Sequence, residues 1–139
     1  MKKLIAALFA AVLMAAGLVV ATGSTASANC DPTHYAGCVP TKTKITAPGA
    51  VPKGKKATLC VTVKAKGSNA TPTGKVVIKL KRNQGGYFFK SSGAYSGGEV
   101  CVKSGKLNAK GGYTATAKFK SPTGSVFQNS AGSVGFDVV

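Results

Sequence analysis

The 139-residue chain carries 19 lysines and arginines against three carboxylates and one histidine, a formal net charge of +16, and it has no tryptophan. So few acids and imidazoles leave little for general acid–base chemistry: Asp31, Glu99 and Asp137 are scattered, and His34 stands alone. The composition points away from an enzyme and toward attraction to polyanions.

The first element is a leader. Lys2 and Lys3 form a positive head, an apolar run extends from Leu4 to Ala21, and Ala26-Ser27-Ala28 places small residues where a signal peptidase reads them. This predicts a cleaved signal peptide over residues 1–28 and a secreted chain from Asn29 with no transmembrane anchor after cleavage. The apolar run approaches the length of a membrane span, but the adjacent cleavage site argues for removal. Asn29 also lacks the small side chain that lipidation of Cys30 needs. About 111 residues remain, one domain's worth, and nothing after Val139 indicates covalent wall attachment.

Residues 29–40 come next. Four cysteines in an oxidising compartment allow three pairings. Cys30 and Cys38 flank the turn-rich Asp-Pro-Thr-His-Tyr-Ala-Gly and are expected to close on each other, while Cys60 and Cys101 lie in strand-like runs and form the second expected pair. In the chain-entropy model a loop of roughly 40 residues is worth about 4 kcal/mol and the short one somewhat under 3 kcal/mol. Cys30, His34 and Cys38, with Asp31, are also soft ligands close together, but structural zinc sites space their cysteines more tightly. The expectation is a disulfide beside a solvated histidine, with no metal and no cofactor.

From residue 41 to 139, β-branched and aromatic runs alternate with charged residues between Gly, Pro, Ser and Asn clusters, and no convincing helix occurs. Strands are predicted near Lys42–Ala47, Ala57–Ala65, Lys75–Arg82, Tyr87–Lys90, Glu99–Lys103, Gly112–Lys120 and Ser133–Val139. Seven short strands in this length indicate an all-β, immunoglobulin-like antiparallel β-sandwich. Alternation assigns inward faces: Leu59, Val61 and Val63; Val76, Ile78 and Leu80; Tyr113, Ala115, Ala117 and Phe119; Val134, Phe136 and Val138. Cys60 and Cys101 share parity with solvent-facing neighbours. Their bridge should therefore lie on the outside of one sheet, joining adjacent strands, unless a bulge shifts the register.

Other features carry less. Asn69-Ala70-Thr71 has the form of a glycosylation sequon and reads as a turn. Tyr87, Phe88, Phe89 and Tyr95 cluster around a glycine-rich hairpin, where Tyr87, Phe89 and Tyr95 are candidate contacts for sugars or unpaired bases; the competing reading has them capping the core.

Thr71–Leu80 (TPTGKVVIKL), Leu107–Phe119 (LNAKGGYTATAKF) and the ending from Asn129 (NSAGSVGFDVV) together resemble the bacterial immunoglobulin-like repeat domains of secreted and surface proteins. The resemblance spans residues 41–139. It implies a sandwich used as a spacer, an adhesion module or a carbohydrate- or protein-binding unit, and it implies no catalysis. The chain departs from that pattern in being one domain rather than an array, in its two expected disulfides and in its lysine-rich outer faces.

If the third and sixth strands are neighbours, as in immunoglobulin sandwiches, Lys75, Lys79, Lys81, Lys118 and Lys120 share one outer face. Lysines also discourage edge-to-edge aggregation, but a surface serving only that purpose would mix both signs. Eighteen lysines to one arginine suit diffuse attraction to phosphate or carboxylate polymers better than base-specific recognition. The leading expectation is a secreted, non-enzymatic domain binding or coating an anionic extracellular polymer, with the cell wall foremost among cell-wall polymers, acidic lipids and polysaccharides; nucleic acid would be bound without sequence preference. The alternatives are a cationic effector acting on anionic membranes or nucleic acid, and a structural or adhesion module contacting another protein.

Overall fold

The computed structural model describes residues 37–139, so the leader, Cys30, Asp31 and His34 lie outside the described residues. Eight strands follow in order: β1 (Thr41–Thr46), β2 (Ala50–Val51), β3 (Lys56–Ala65), β4 (Gly74–Arg82), β5 (Tyr87–Tyr95), β6 (Glu99–Lys106), β7 (Gly111–Lys120) and β8 (Ser130–Val138). They form a three-stranded sheet, β1-β3-β6, and a five-stranded sheet, β2-β8-β7-β4-β5.

The alternation read from the sequence is what packs these sheets together. Leu59, Val61 and Val63 from β3 meet Val76, Ile78 and Leu80 from β4 and Tyr113, Ala115, Ala117 and Phe119 from β7 in one buried core. Phe136 and Val138 complete it, while Val134 is only half-buried against it. Tyr113, near the start of β7, donates its hydroxyl back to the Ala109 carbonyl at 2.8 Å, the tyrosine corner of immunoglobulin sandwiches. Strand order, facing sheets and this corner make the fold an immunoglobulin-like β-sandwich.

β2 is a strand the sequence reading did not anticipate. After β1 pairs antiparallel with β3, the chain bends at Pro48-Gly49 and pairs β2 parallel to β8 in the opposite sheet. Along this side the sheets approach closely. Gly132 of β8 faces β1 where any Cβ would collide with the Thr43 carbonyl oxygen, so glycine is required there. A hydroxyl seam closes the same side: Ser130 Oγ lies 2.6 Å from Thr41 Oγ1 and 2.7 Å from Thr43 Oγ1.

Cys60 and Cys101 face each other across β3 and β6 with Cα atoms 4.0 Å apart and are disulfide-bonded. The bridge lies on the outer side of the three-stranded sheet, since the flanking Leu59 and Val61 point into the core. This differs from the inter-sheet bridge of antibody domains. A register shift does occur in this pair, between Lys56 and Thr58, too far along to reverse the parity at Cys60. Ser104 fills that irregularity, its Oγ accepting from Ala57 N–H at 2.9 Å and donating to the Gly105 carbonyl at 2.7 Å. Cys38 is also disulfide-bonded, while the expected Cys30 end lies outside the described residues.

Tyr95 plays a similar part where β3 outruns β6. The last pair is Thr62 with Glu99, and one step on Val63 has no strand partner on that side. The Tyr95 hydroxyl takes the vacant place, accepting from Val63 N–H at 2.8 Å and sharing its proton between the carbonyls of Gly98 at 2.7 Å and Val63 at 3.1 Å.

Two stability outcomes follow from these contacts. Replacing Cys60 and Cys101 together with Ala removes a cross-link over 41 residues and should lower the unfolding free energy by about 4 kcal/mol in a urea titration of the oxidised protein. Tyr95→Phe strands the buried Val63 amide and should cost about 1–3 kcal/mol, with faster amide hydrogen exchange at Val63.

Candidate anion-binding face

β4 pairs with β7 in the five-stranded sheet, so the neighbour relation on which the lysine row depends is present. Inward-facing Val76, Ile78 and Leu80 force Lys75, Lys79 and Lys81 outward, and inward-facing Ala117 and Phe119 do the same for Lys118 and Lys120. The register sets Lys75 directly opposite Lys120 and Val77 opposite Lys118. A shallow hollow of 330 Å³ lies over this region, lined by Lys75, Val77, Lys79, Lys90, Ser92, Lys118 and Lys120. Half-buried Lys81 continues the row along β4, between Thr114 and Tyr87 in register.

Lys90 is a member the sequence reading missed. It faces Lys79 across β4 and β5, and its parity could have been read from the predicted strand had the aromatic residues not drawn attention away from it. Two of those aromatics need correction. Tyr95 is not a surface contact: it is 2 % exposed, with its hydroxyl committed to the β3 backbone and its ring edge-on to Phe119. Phe89 is half-buried against the core, because it sits opposite inward-facing Leu80. The register shifts just past that pair, leaving Phe88 as the extra residue of the bulge, 47 % exposed and edge-on to Tyr113. Tyr87 pairs with Lys81 in register.

The charge is not confined to this face. Lys42, Lys44, Lys64 and Lys103 are exposed on β1, β3 and β6 of the other sheet. That sheet, however, also carries Glu99, at one of the cross-strand positions beside the disulfide. The remaining described carboxylate, Asp137, lies on β8 at the end of the five-stranded sheet next to Gly112, across the sandwich from Glu99. The two acids therefore do not converge as paired-carboxylate hydrolysis requires. Glu99 does approach Cys60 and Cys101 closely enough to suggest a metal cluster, but the disulfide consumes both thiolates.

Lysine opposes lysine at four register positions: Lys42 with Lys64, Lys56 with Lys106, Lys79 with Lys90 and Lys75 with Lys120. Like charges directly across a ladder are destabilising.

No family model matches the chain, and no curated protein matches it. Among solved structures it is similar to the CARDB domain of a Pyrococcus furiosus protein, determined in complex with di-metal ions, at 18 % identity and a TM-score of 0.46 over 71 % of this chain and 87 % of that one. It is also similar to a conjugative transposon lipoprotein from Bacteroides eggerthii, at 11 % identity and a TM-score of 0.47 over 70 % of this chain and 96 % of that one. Neither likeness is close enough to carry an argument about function.

If the opposed lysines repel, Lys120→Gln should raise the urea midpoint at low ionic strength, by an amount equivalent to ~0.5 kcal/mol. The gain should disappear at about 0.5 M salt, where the screening length falls to a few ångströms.

Proposed function

We propose that this protein is an exported, non-enzymatic immunoglobulin-like module, of the kind the bacterial repeat domains resemble, that binds an anionic extracellular polymer through the outer face of its five-stranded sheet. The observation that carries the reading is the hollow in which Lys75, Lys79, Lys90, Lys118 and Lys120 converge. Five lysines lining one concavity concentrate positive potential more than the same residues spread over a convex surface. A disulfide between exposed strands fits an oxidising compartment, in keeping with the leader read over residues 1–28. Lysine side chains bring charge without a planar fork, which favours multivalent attachment along a polymer over recognition of one small ligand.

Binding arises from exchange of polymer counterions for lysine ammoniums, so affinity falls steeply as salt rises. Cell walls, with their anionic polymers, are the proposed surface. The oxidised protein should co-sediment with purified walls at low salt, lose most of that binding when the anionic polymers are stripped, and release progressively across a salt series. Reversing charge together at Lys75, Lys79, Lys118 and Lys120 should abolish co-sedimentation. Retained wall binding in that variant would sink the reading, and salt-insensitive binding would direct the search to a protein partner instead.

A further inference from the structure

Two hollows meet at the directly opposed pair Lys75 and Lys120, and a third borders Lys120 alone of the two. The first is the basic hollow on the sheet, to which both contribute. The second, of 610 Å³, is a wide, open cleft at the end of the sandwich, more exposed than the basic hollow, between Thr73-Gly74-Lys75 and the Lys120–Thr123 turn, with Tyr95 beneath it. The third, of 360 Å³, runs from Lys118 and Lys120 toward Asn129 and Ser130. Lys120 borders all three.

The end cleft differs in chemistry from the face. Beyond its two lysines its side chains offer hydroxyls, from Thr73, Ser121 and Thr123, around Gly74 and Pro122. Two features build it. Gly74 is placed where a Cβ would run into the Lys120 carbonyl oxygen and the Phe119 ring, so the strands can close here only because it has no side chain. The turn beyond β7 is fastened by Asn129, whose Oδ1 accepts from Ser121 N–H at 2.8 Å and lies 3.3 Å from Ser121 Oγ.

We infer that the ligand is a linear phosphodiester polymer of polyol or sugar units, with a phosphate seated between Lys75 and Lys120 and the neighbouring hydroxylated unit in the end cleft. The inference rests on the binding-face reading and adds the ligand's chemistry and its path. Ammoniums opposed across one ladder rung repel until an anion bridges them, and a tetrahedral phosphate presents oxygens to both. The lining holds lysine alone; the guanidinium fork that matches a planar carboxylate is missing from it. Hydroxyl groups along the cleft suit the hydroxyls of a polyol or sugar. Nucleic acid shares the phosphodiester, but stacking of bases needs an exposed ring. Among the described side chains the rings of Tyr95 and Phe89 turn inward, away from this face, and the exposed ring of Phe88 packs edge-on to the core residue Tyr113 rather than beside Lys75 and Lys120. A second lysine pair, Lys79 with Lys90, lies four residues along β4, ~13 Å away, and would meet a later repeat of the same chain.

The test is a titration of the oxidised protein at fixed, near-physiological salt with poly(glycerol phosphate), polygalacturonate and single-stranded oligothymidylate. Poly(glycerol phosphate) should bind roughly tenfold tighter than either other polymer, about the weight of one charge-assisted hydrogen bond. Lys75→Gln with Lys120→Gln should lose about tenfold or more, whereas Lys44→Gln with Lys103→Gln, which removes equal charge from the other sheet, should lose only about twofold. Thr123→Val, an exposed loop change that leaves the core untouched, should weaken poly(glycerol phosphate) and not polygalacturonate. Equal affinity for all three polymers would overturn the inference while leaving the basic-face reading standing, whereas equal losses from the two lysine double variants would bring down both. Tightest binding to oligothymidylate would overturn it in favour of nucleic acid. Failure to bind any polymer would bring down the binding-face reading itself.

Discussion

The pleat of the β-strand governs this molecule. Each strand sends successive side chains to opposite faces, so a sequence in which apolar residues and lysines alternate must bury one set and display the other. β4 and β7 obey the rule over nearly their whole lengths, and the cationic surface is the reverse side of the core. Because both strands also pair in register, the rule sets Lys75 against Lys120 across the ladder. The fold therefore carries a built-in repulsion, opposed by the apolar core and by a covalent link across β3 and β6. A polyanion bound as proposed would relieve the repulsion without disturbing either.

Where the ladders fall short, single polar side chains complete them. The Tyr95 hydroxyl stands in for a missing strand at Val63, the Ser104 hydroxyl fills the irregular register of β6, and Thr41, Thr43 and Ser130 join the sheets along one side. Among the described residues no buried side-chain polar atom is left without a partner. The same residues shape the candidate site: Tyr95 holds the end of β5 against β3 and forms part of the cleft beside Lys75 and Lys120.

Much of this was legible in the chain because a two-residue period is read directly from sequence. Inward faces of β3, β4 and β7, the outward Cys60–Cys101 bridge and the shared parity of the lysines on β4 and β7 all follow from it. What escaped notice had other causes. β2 is two residues long and follows Pro48-Gly49, which reads as a turn. β5 runs on through Ser91-Ser92-Gly93 to Tyr95, residues whose strand propensity is low and whose place depends on pairing with β4. That extension is why Tyr95 looked like a hairpin aromatic when it is a core residue. The end cleft was invisible for a different reason: Thr73 and Ser121 are 48 positions apart, and only the β4–β7 pairing brings them together.

The parallel pairing near the chain's beginning has a mechanical consequence. Val39 bonds to Val126 and Gln128, Gly49 to Asp137, Val51 to Val139 and Lys53 to Val139, so the segment around β1 and β2 is stitched to the one around β8 at several points. The two segments run in the same direction. Tension applied at the start of one and the end of the other makes them slide past each other, loading the rungs together in shear instead of opening them one at a time. A module anchored to a polymer by its lysine-lined face and pulled along its chain would meet that load with its most resistant geometry.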